Sequence, residues 1–256
     1  MSWTYVPPTN PHPRLKELAP NGQPKLDFLA YLNAGVVIDS NHYLSGRPDL
    51  ITVRPLPEAA TQTKIKPKGC VLHTQGGGRR ATNEQAWNFF NQFSANESHL
   101  IGPEMDGVGR ILQAIPFNVK ADSNYKGNLW WEKSGTKYDA WVPGSEARGH
   151  ISLETQDNGG GIAIINQTGW TLQQLDVIAA TLTAVCFVYR LPCTDTVNYR
   201  SGGISPHNRW PEWSKDGHSC PGAARTRQMD WVRSAVAGRL ADIYTHTGES
   251  CPGMEE

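Results

Sequence analysis

The sequence predicts an α/β domain, a mixed central β-sheet flanked by helices, preceded by an N-terminal extension. Three observations predict it. Two short apolar stretches, CVLH at 70–73 and HISLET at 150–155, have the length and composition of buried strands. Two longer stretches place apolar residues at helical spacing and open on capping boxes, Thr82 with Gln85 and Thr171 with Gln174. The strands and helices alternate along the chain, and such alternation folds as helices packed on a sheet.

Residues 1–24 are rich in proline and polar side chains and read as a surface wrap without a core of its own. A short helix is expected over 25–34, with Leu26, Phe28, Leu29 and Leu32 on its apolar side. From 36 to 55 strand-like and turn-like pieces alternate, GVVID and DLITVRP among them. Residues 1–66 are therefore expected as an extension packed on the main domain, with a small separate module as the alternative. The glycines at 76–78 lack the Lys-Ser/Thr ending of a phosphate loop. In the helix that Thr82 starts, Ala86, Phe89, Phe90 and Phe93 are expected in the core.

Residues 98–116 read as two short strands joined by a turn at Asp106 to Gly109, with His99 as a sheet residue. The stretch 129–147 looks like an insertion carrying Trp130, Trp131, Tyr138 and Trp141; packing onto the domain is favoured over sugar or peptide recognition. In HISLET, Ile151 and Leu153 share one face of the strand, and Ser152 and Glu154 the other. A glutamate on a strand fit for burial has to be paired, hydrogen-bonded or near a metal.

The clearest helix runs from Thr171 to Arg190 and ends at Leu191-Pro192, with Cys186 and Cys193 as buried thiols at its end. Residues 198–204 lead as a last strand or turn into His207. Pro221 suits a helix start, and Met229, Val232, Val236 and Leu240 line one face of a terminal helix.

Composition narrows the function classes. With 24 basic and 24 acidic residues among 256 the formal charge is zero, so binding to nucleic acid or an anionic membrane is not expected. No stretch reads as spanning a bilayer; 177–189, the most apolar, is interrupted by threonines and fits a core helix. The N-terminus lacks the basic start and apolar run of a secretory signal, which points to the cytoplasm or to export by another agent. Five cysteines without framework spacing argue against a disulfide scaffold.

The functional signal lies in the loop 207–222, HNRWPEWSKDGHSCPG, which has neither strand nor helix period and carries His207, His218 and Cys220. Imidazole and thiolate are ligands that zinc prefers, and a catalytic zinc takes three protein ligands and keeps a position for water. The loop supplies two, and the third is sought elsewhere. His73, at the end of a strand and before an open glycine loop, is the better donor than Cys70, because residues three apart on a strand face opposite sides. SCPG occurs twice. Cys220 is preferred to Cys251 because an amphipathic helix follows it, whereas Cys251 lies near the chain end. Spacing alone leaves His218 open as a replacement for Cys220.

The VLHT strand end, the HISLET segment and a late histidine loop closing on CPG, in this order, resemble the zinc-dependent N-acetylmuramoyl-L-alanine amidases of the phage-lysozyme and peptidoglycan-recognition-protein type. The resemblance runs from about residue 67 to about 240. It implies the fold of that family over 67–245, with 246–256 as a tail, and a Zn²⁺ held by His73, His207 and Cys220, the cysteine being the residue that the family aligns. It implies Glu154 as the catalytic carboxylate, and it places His218 where many members carry a lysine that stabilises the oxyanion. The implied partner is peptidoglycan, and a monomer is expected. The implied setting is a phage endolysin held in the host cytoplasm until a holin releases it to the wall. A non-catalytic peptidoglycan receptor of the same fold, which typically loses the cysteine, and a zinc peptidase cutting within the stem peptide are the alternatives.

Overall fold

A computed structural model describes residues 4–18, 23–61, 64–74, 82–92, 98–121, 150–156, 168–195, 202–209 and 220–252. Among these, helices α1 (Pro13–Leu18) and α2 (Gln23–Leu32) come first, then strands β1 (Val37–Ile38), β2 (Leu44–Ser45) and β3 (Ile51–Val53). β4 (Gly69–Thr74), α3 (Asn83–Gln92), β5 (Leu100–Ile101), β6 (Ile111–Gln113) and β7 (His150–Thr155) follow. The chain continues with α4 (Leu172–Tyr189), β8 (Gly203–Pro206), α5 (Ala223–Arg227) and α6 (Met229–Thr247).

Six strands form one sheet in the order β3-β6-β5-β7-β4-β8, while β1 and β2 form a separate antiparallel pair. β5, β7, β4 and β8 run parallel to one another, β6 runs antiparallel to β5, and β3 runs parallel to β6. The sheet is therefore mixed and carries helices on its faces, as the alternation of elements predicts. β3, from the N-terminal extension, supplies its edge. The SHLIGPEMDGVGRILQ segment makes the expected hairpin, with the Asp106 carboxylate accepting from the Val108 and Gly109 amides at 2.9 and 2.6 Å.

Strand alternation sorts the side chains into two layers. Cys70, Leu72, Leu100, Ile151, Leu153 and Ile204 join the larger core with α4, α6 and the first two helices. Ile101 and Leu112 face the other way, into a smaller core with Ala86, Trp87 and Phe90 of α3. Val71, His73, Ser152, Glu154 and Ser205 share that second face by register. Gly69 permits the close pairing of β4 and β8: an added Cβ would lie 2.7 Å from the Gly203 carbonyl oxygen and 2.9 Å from the His150 ring.

Both capping boxes form. The Thr82 hydroxyl accepts from the Gln85 amide at 3.2 Å while the Gln85 side chain accepts from Thr82 N–H at 3.0 Å, and Thr171 and Gln174 repeat the pattern at α4. α4 ends at Arg190 in the left-handed conformation. Cys186 and Cys193 are buried free thiols, and a hydrogen bond with Cys70, together with burial, pushes the Cys186 thiol well up.

Five expectations need correction. Residues 13–18 form α1 and put Leu15 in the larger core, because a prolyl residue is tolerated in a first helical turn and the following leucine finds an apolar neighbour. Phe28 and Phe89 are exposed, at 41% and 49%; each helix is covered on one side only, α2 by α1 and α6 over Leu26 and Leu29, and α3 by β5 and β6 over Trp87 and Phe90. Leu172–Tyr189 is long and apolar enough to span a bilayer by length and composition, since its threonines lower the hydropathy only slightly. Most of it is buried in this fold, as a core helix. Pro221 lies outside α5, whose N-cap is Gly222 at φ 104°, and Gln228 separates α5 from α6. Met229, Val232, Val236 and Leu240 are buried along α6 as expected. The insertion 129–147, the glycines 76–78 and Phe93 lie outside the described residues.

Candidate metal centre

Three parallel strands end side by side, β4 at Thr74, β7 at Thr155 and β8 at Pro206. Ligands of open α/β sheets bind outside the carboxyl ends of strands, and the chemistry-bearing residues stand there. His73 is the penultimate residue of β4 and is buried. Glu154 is its register partner on β7, half-buried on the same face. His207 follows β8 directly, in a 3₁₀ turn His207–Arg209.

Cys220, the first described residue after Arg209, reaches the same place. The Asn208 amide donates to the Cys220 carbonyl at 2.8 Å, so the backbone after β8 is tied directly to that at Cys220. The Thr74 amide donates to Cys220 Sγ at 3.2 Å, which fixes the sulfur against the end of β4.

The donor atoms of His73, His207 and Cys220 all lie within 4.8 Å of one another. Cys220 Sγ is 3.9 Å from His73 Nδ1, and the two imidazole centroids are 4.3 Å apart. At zinc distances of about 2.3 Å to sulfur and about 2.05 Å to nitrogen, tetrahedral ligand atoms stand about 3.6 Å apart. The sulfur–nitrogen separation is close to that value, and two imidazoles with a thiol are a zinc donor set that leaves a fourth position for water. The residues fit the ion.

Burial pushes the Cys220 thiol up, the Glu154 charge adds to this, and the Thr74 amide and the Arg225 charge oppose it. Register pairing with His73 sets Glu154 beside the cluster. Because a ligating thiol is deprotonated, Cys220 must give up its proton to bind the ion.

The alternatives that the sequence left open separate in space. Cys70 points into the larger core with Cys186, and Cys251 packs against that same core on the opposite face of the sheet. His99 is fully buried in the bend just before β5, one residue short of the strand in which the sequence placed it, with Nε2 2.8 Å from the Val119 carbonyl and Nδ1 accepting from the Ser152 amide at 3.0 Å. His218 lies outside the described residues.

Sequence reasoning missed a group behind the cluster: Thr74, Thr155, Gln156 and Arg225. Arg225 is 1% exposed and donates to Thr74 Oγ1 at 2.6 Å, Thr155 Oγ1 at 3.2 Å and the Gln156 carbonyl at 2.8 Å. Its spacing held the signal. Arg225 stands four residues before Met229, in phase with the stripe Met229, Val232 and Val236, a partial signal because Gln228 divides the two helices.

No protein-family model matches the sequence, and no curated protein matches it. Solved structures do resemble it. The Staphylococcus aureus hydrolase AmiA, in complex with its ligand, has 12% identity, with 98% of this chain and 100% of that chain covered and a TM-score of 0.47. The endolysin N-acetylmuramoyl-L-alanine amidase LysCS from Clostridium intestinale URNW has 13% identity, with 78% and 96% covered and a TM-score of 0.41. A mutant endolysin from Bacillus subtilis has 17% identity, with 74% and 97% covered and a TM-score of 0.43.

Proposed function

We propose that this chain hydrolyses the amide between the lactyl group of N-acetylmuramic acid and the first L-alanine of the peptidoglycan stem peptide, with Zn²⁺ held by His73, His207 and Cys220. The convergence of those three donor groups within 4.8 Å, beside a half-buried glutamate, carries the reading. The substrate class rests on the resemblance of the VLHT, HISLET and CPG segments to the amidase family.

When bound, zinc supplies Lewis acidity and lowers the pKa of a coordinated water from about 15.7 toward about 7. Glu154 stands one strand from His73 and takes the proton that the attacking water loses. It then returns that proton to the amine nitrogen, which must be protonated to leave; such transfer is worth about 10²–10⁴-fold. His218 donates a hydrogen bond to the carbonyl oxygen as charge builds there. A histidine does this in either protonation state but is fully charged only below its pKa, about 6.5 when unperturbed. The same reading extends to an endolysin that collects in the host cytoplasm and meets the wall after holin release.

Mass spectrometry of digested wall fragments tests the proposal. Free L-alanine amino termini on intact glycan strands are the expected result. Cuts inside the stem peptide would make the enzyme a peptidase, and bound but undigested wall would make the protein a receptor; either outcome overturns the assignment.

A further inference from the structure

We infer that Arg225 is the positioning residue of the metal centre, holding His73, Glu154 and Cys220 in one arrangement through the hydroxyls of Thr74 and Thr155. The inference rests on the metal-site reading above and deepens it. Arg225 sits behind the cluster and spans three elements. Its guanidinium donates to Thr74 Oγ1 at the end of β4, to Thr155 Oγ1 at the end of β7, and to the Gln156 carbonyl just beyond.

Each hydroxyl passes the constraint on. Thr74 Oγ1 donates to the Pro221 carbonyl at 2.8 Å, and the Thr74 amide donates to Cys220 Sγ at 3.2 Å, so one residue grips both sides of the Cys220–Pro221 peptide. Thr155 Oγ1 donates to the carbonyl of His73, next to the imidazole-bearing carbon. Thr155 also directly follows Glu154, so the grip on its hydroxyl fixes the backbone from which that carboxylate projects.

The arginine is itself held in place. Its guanidinium carbon lies 5.7 Å from the centre of the Trp170 ring. Gln228, at the α5–α6 junction, accepts from the Trp170 amide at 2.7 Å and donates to the Trp170 carbonyl at 3.0 Å. A planar fork with several fixed donors can satisfy two hydroxyls and a carbonyl at once, and an ammonium cannot reproduce that geometry. Groups that orient the ligands of a metal typically change its affinity by about 10–100-fold when removed.

The test uses the full chain and follows zinc alone, cobalt alone and the metal-free protein. Zinc affinity is read by competition with a chromophoric chelator, thiolate ligation by the sulfur-to-cobalt charge-transfer band, and folding by the thermal midpoint in excess chelator. Arg225→Met is expected to weaken zinc binding about 10–100-fold and to reduce the cobalt band, with Arg225→Lys recovering part of the loss. Thr74→Val keeps the amide that meets the sulfur and removes only the hydroxyl, so it is expected to weaken zinc binding in the same direction, and it decides the matter if Arg225→Met does not fold.

Zinc affinity within twofold of wild type in Thr74→Val and in any folded Arg225 variant, with the cobalt band intact, would overturn the inference, even if the metal-free thermal midpoint fell. Wild-type protein that binds neither zinc nor cobalt would instead remove the metal-site reading itself.

Discussion

Acid should destabilise this protein in part through a histidine that is not a member of the metal cluster, and the size of that part follows from its surroundings. His99 is fully buried. Its Nδ1 accepts from the Ser152 amide, so the neutral ring carries its hydrogen on Nε2 and donates to the Val119 carbonyl. A second proton has nowhere to go but Nδ1, where it meets an N–H, and the resulting charge has left water. Burial accordingly lowers the pKa to about 4, only partly offset by the Val119 hydrogen bond.

The unfolded chain takes up this proton near pH 6.5 and the native chain near pH 4, so between these values the unfolded state binds more protons and stability rises with pH. The contribution of neutral His99 is complete above about pH 6.5 and is lost as pH falls toward about 4, about 3 kcal/mol in all and about 2 kcal/mol by pH 5. Urea unfolding at pH 7.5 and pH 5, in chelator so that metal release does not enter, measures it. His99→Gln keeps a neutral donor and acceptor, and the stability difference between the two pH values should shrink by about 2 kcal/mol. His12 and His42, whose pKa values are also lowered chiefly by burial, stay in both proteins and cancel. An equal pH difference in wild type and His99→Gln would refute the reasoning.

Four further outcomes are expected. Glu154→Gln should keep its zinc by elemental analysis and lose about 10²–10⁴-fold in turnover, and retained turnover would move the proton carrier elsewhere. Cys220→Ser should lower zinc content after dialysis, and unchanged stoichiometry would hand the ligand role to His218. His218→Lys should hold activity further into the alkaline range than wild type, and identical flat profiles from about pH 6 to about pH 9 would remove His218 from the oxyanion role. Phe90→Ala should cost about 3–5 kcal/mol in denaturant unfolding and Phe89→Ala under about 1 kcal/mol, because Phe90 is 6% exposed and Phe89 is 49% exposed; equal losses would contradict the packing of α3.

What the sequence determined by itself were features set over a few residues. Two capping boxes needed only a threonine and a glutamine three apart, and the opposed faces of HISLET needed only the two-residue period of a strand. The same period separated Cys70 from His73 and put one in the core and the other at the site. Periodicity could not say which of Trp87, Phe89 and Phe90 the sheet would cover, because the answer depends on where α3 docks. Nor could it assign β3 to the sheet edge, since a three-residue strand gains its pairing only from β6, nearly sixty residues on. Tertiary structure alone decided that His73, His207 and Cys220 share one point in space. Parallel pairing of β4 with β7 and β8 brings their carboxyl ends into line, and the backbone hydrogen bond from Asn208 holds Cys220 at the same end. Arg225 belongs to that second class as well: its charge predicts water, and only the packed fold supplies the hydroxyls and carbonyl that replace it.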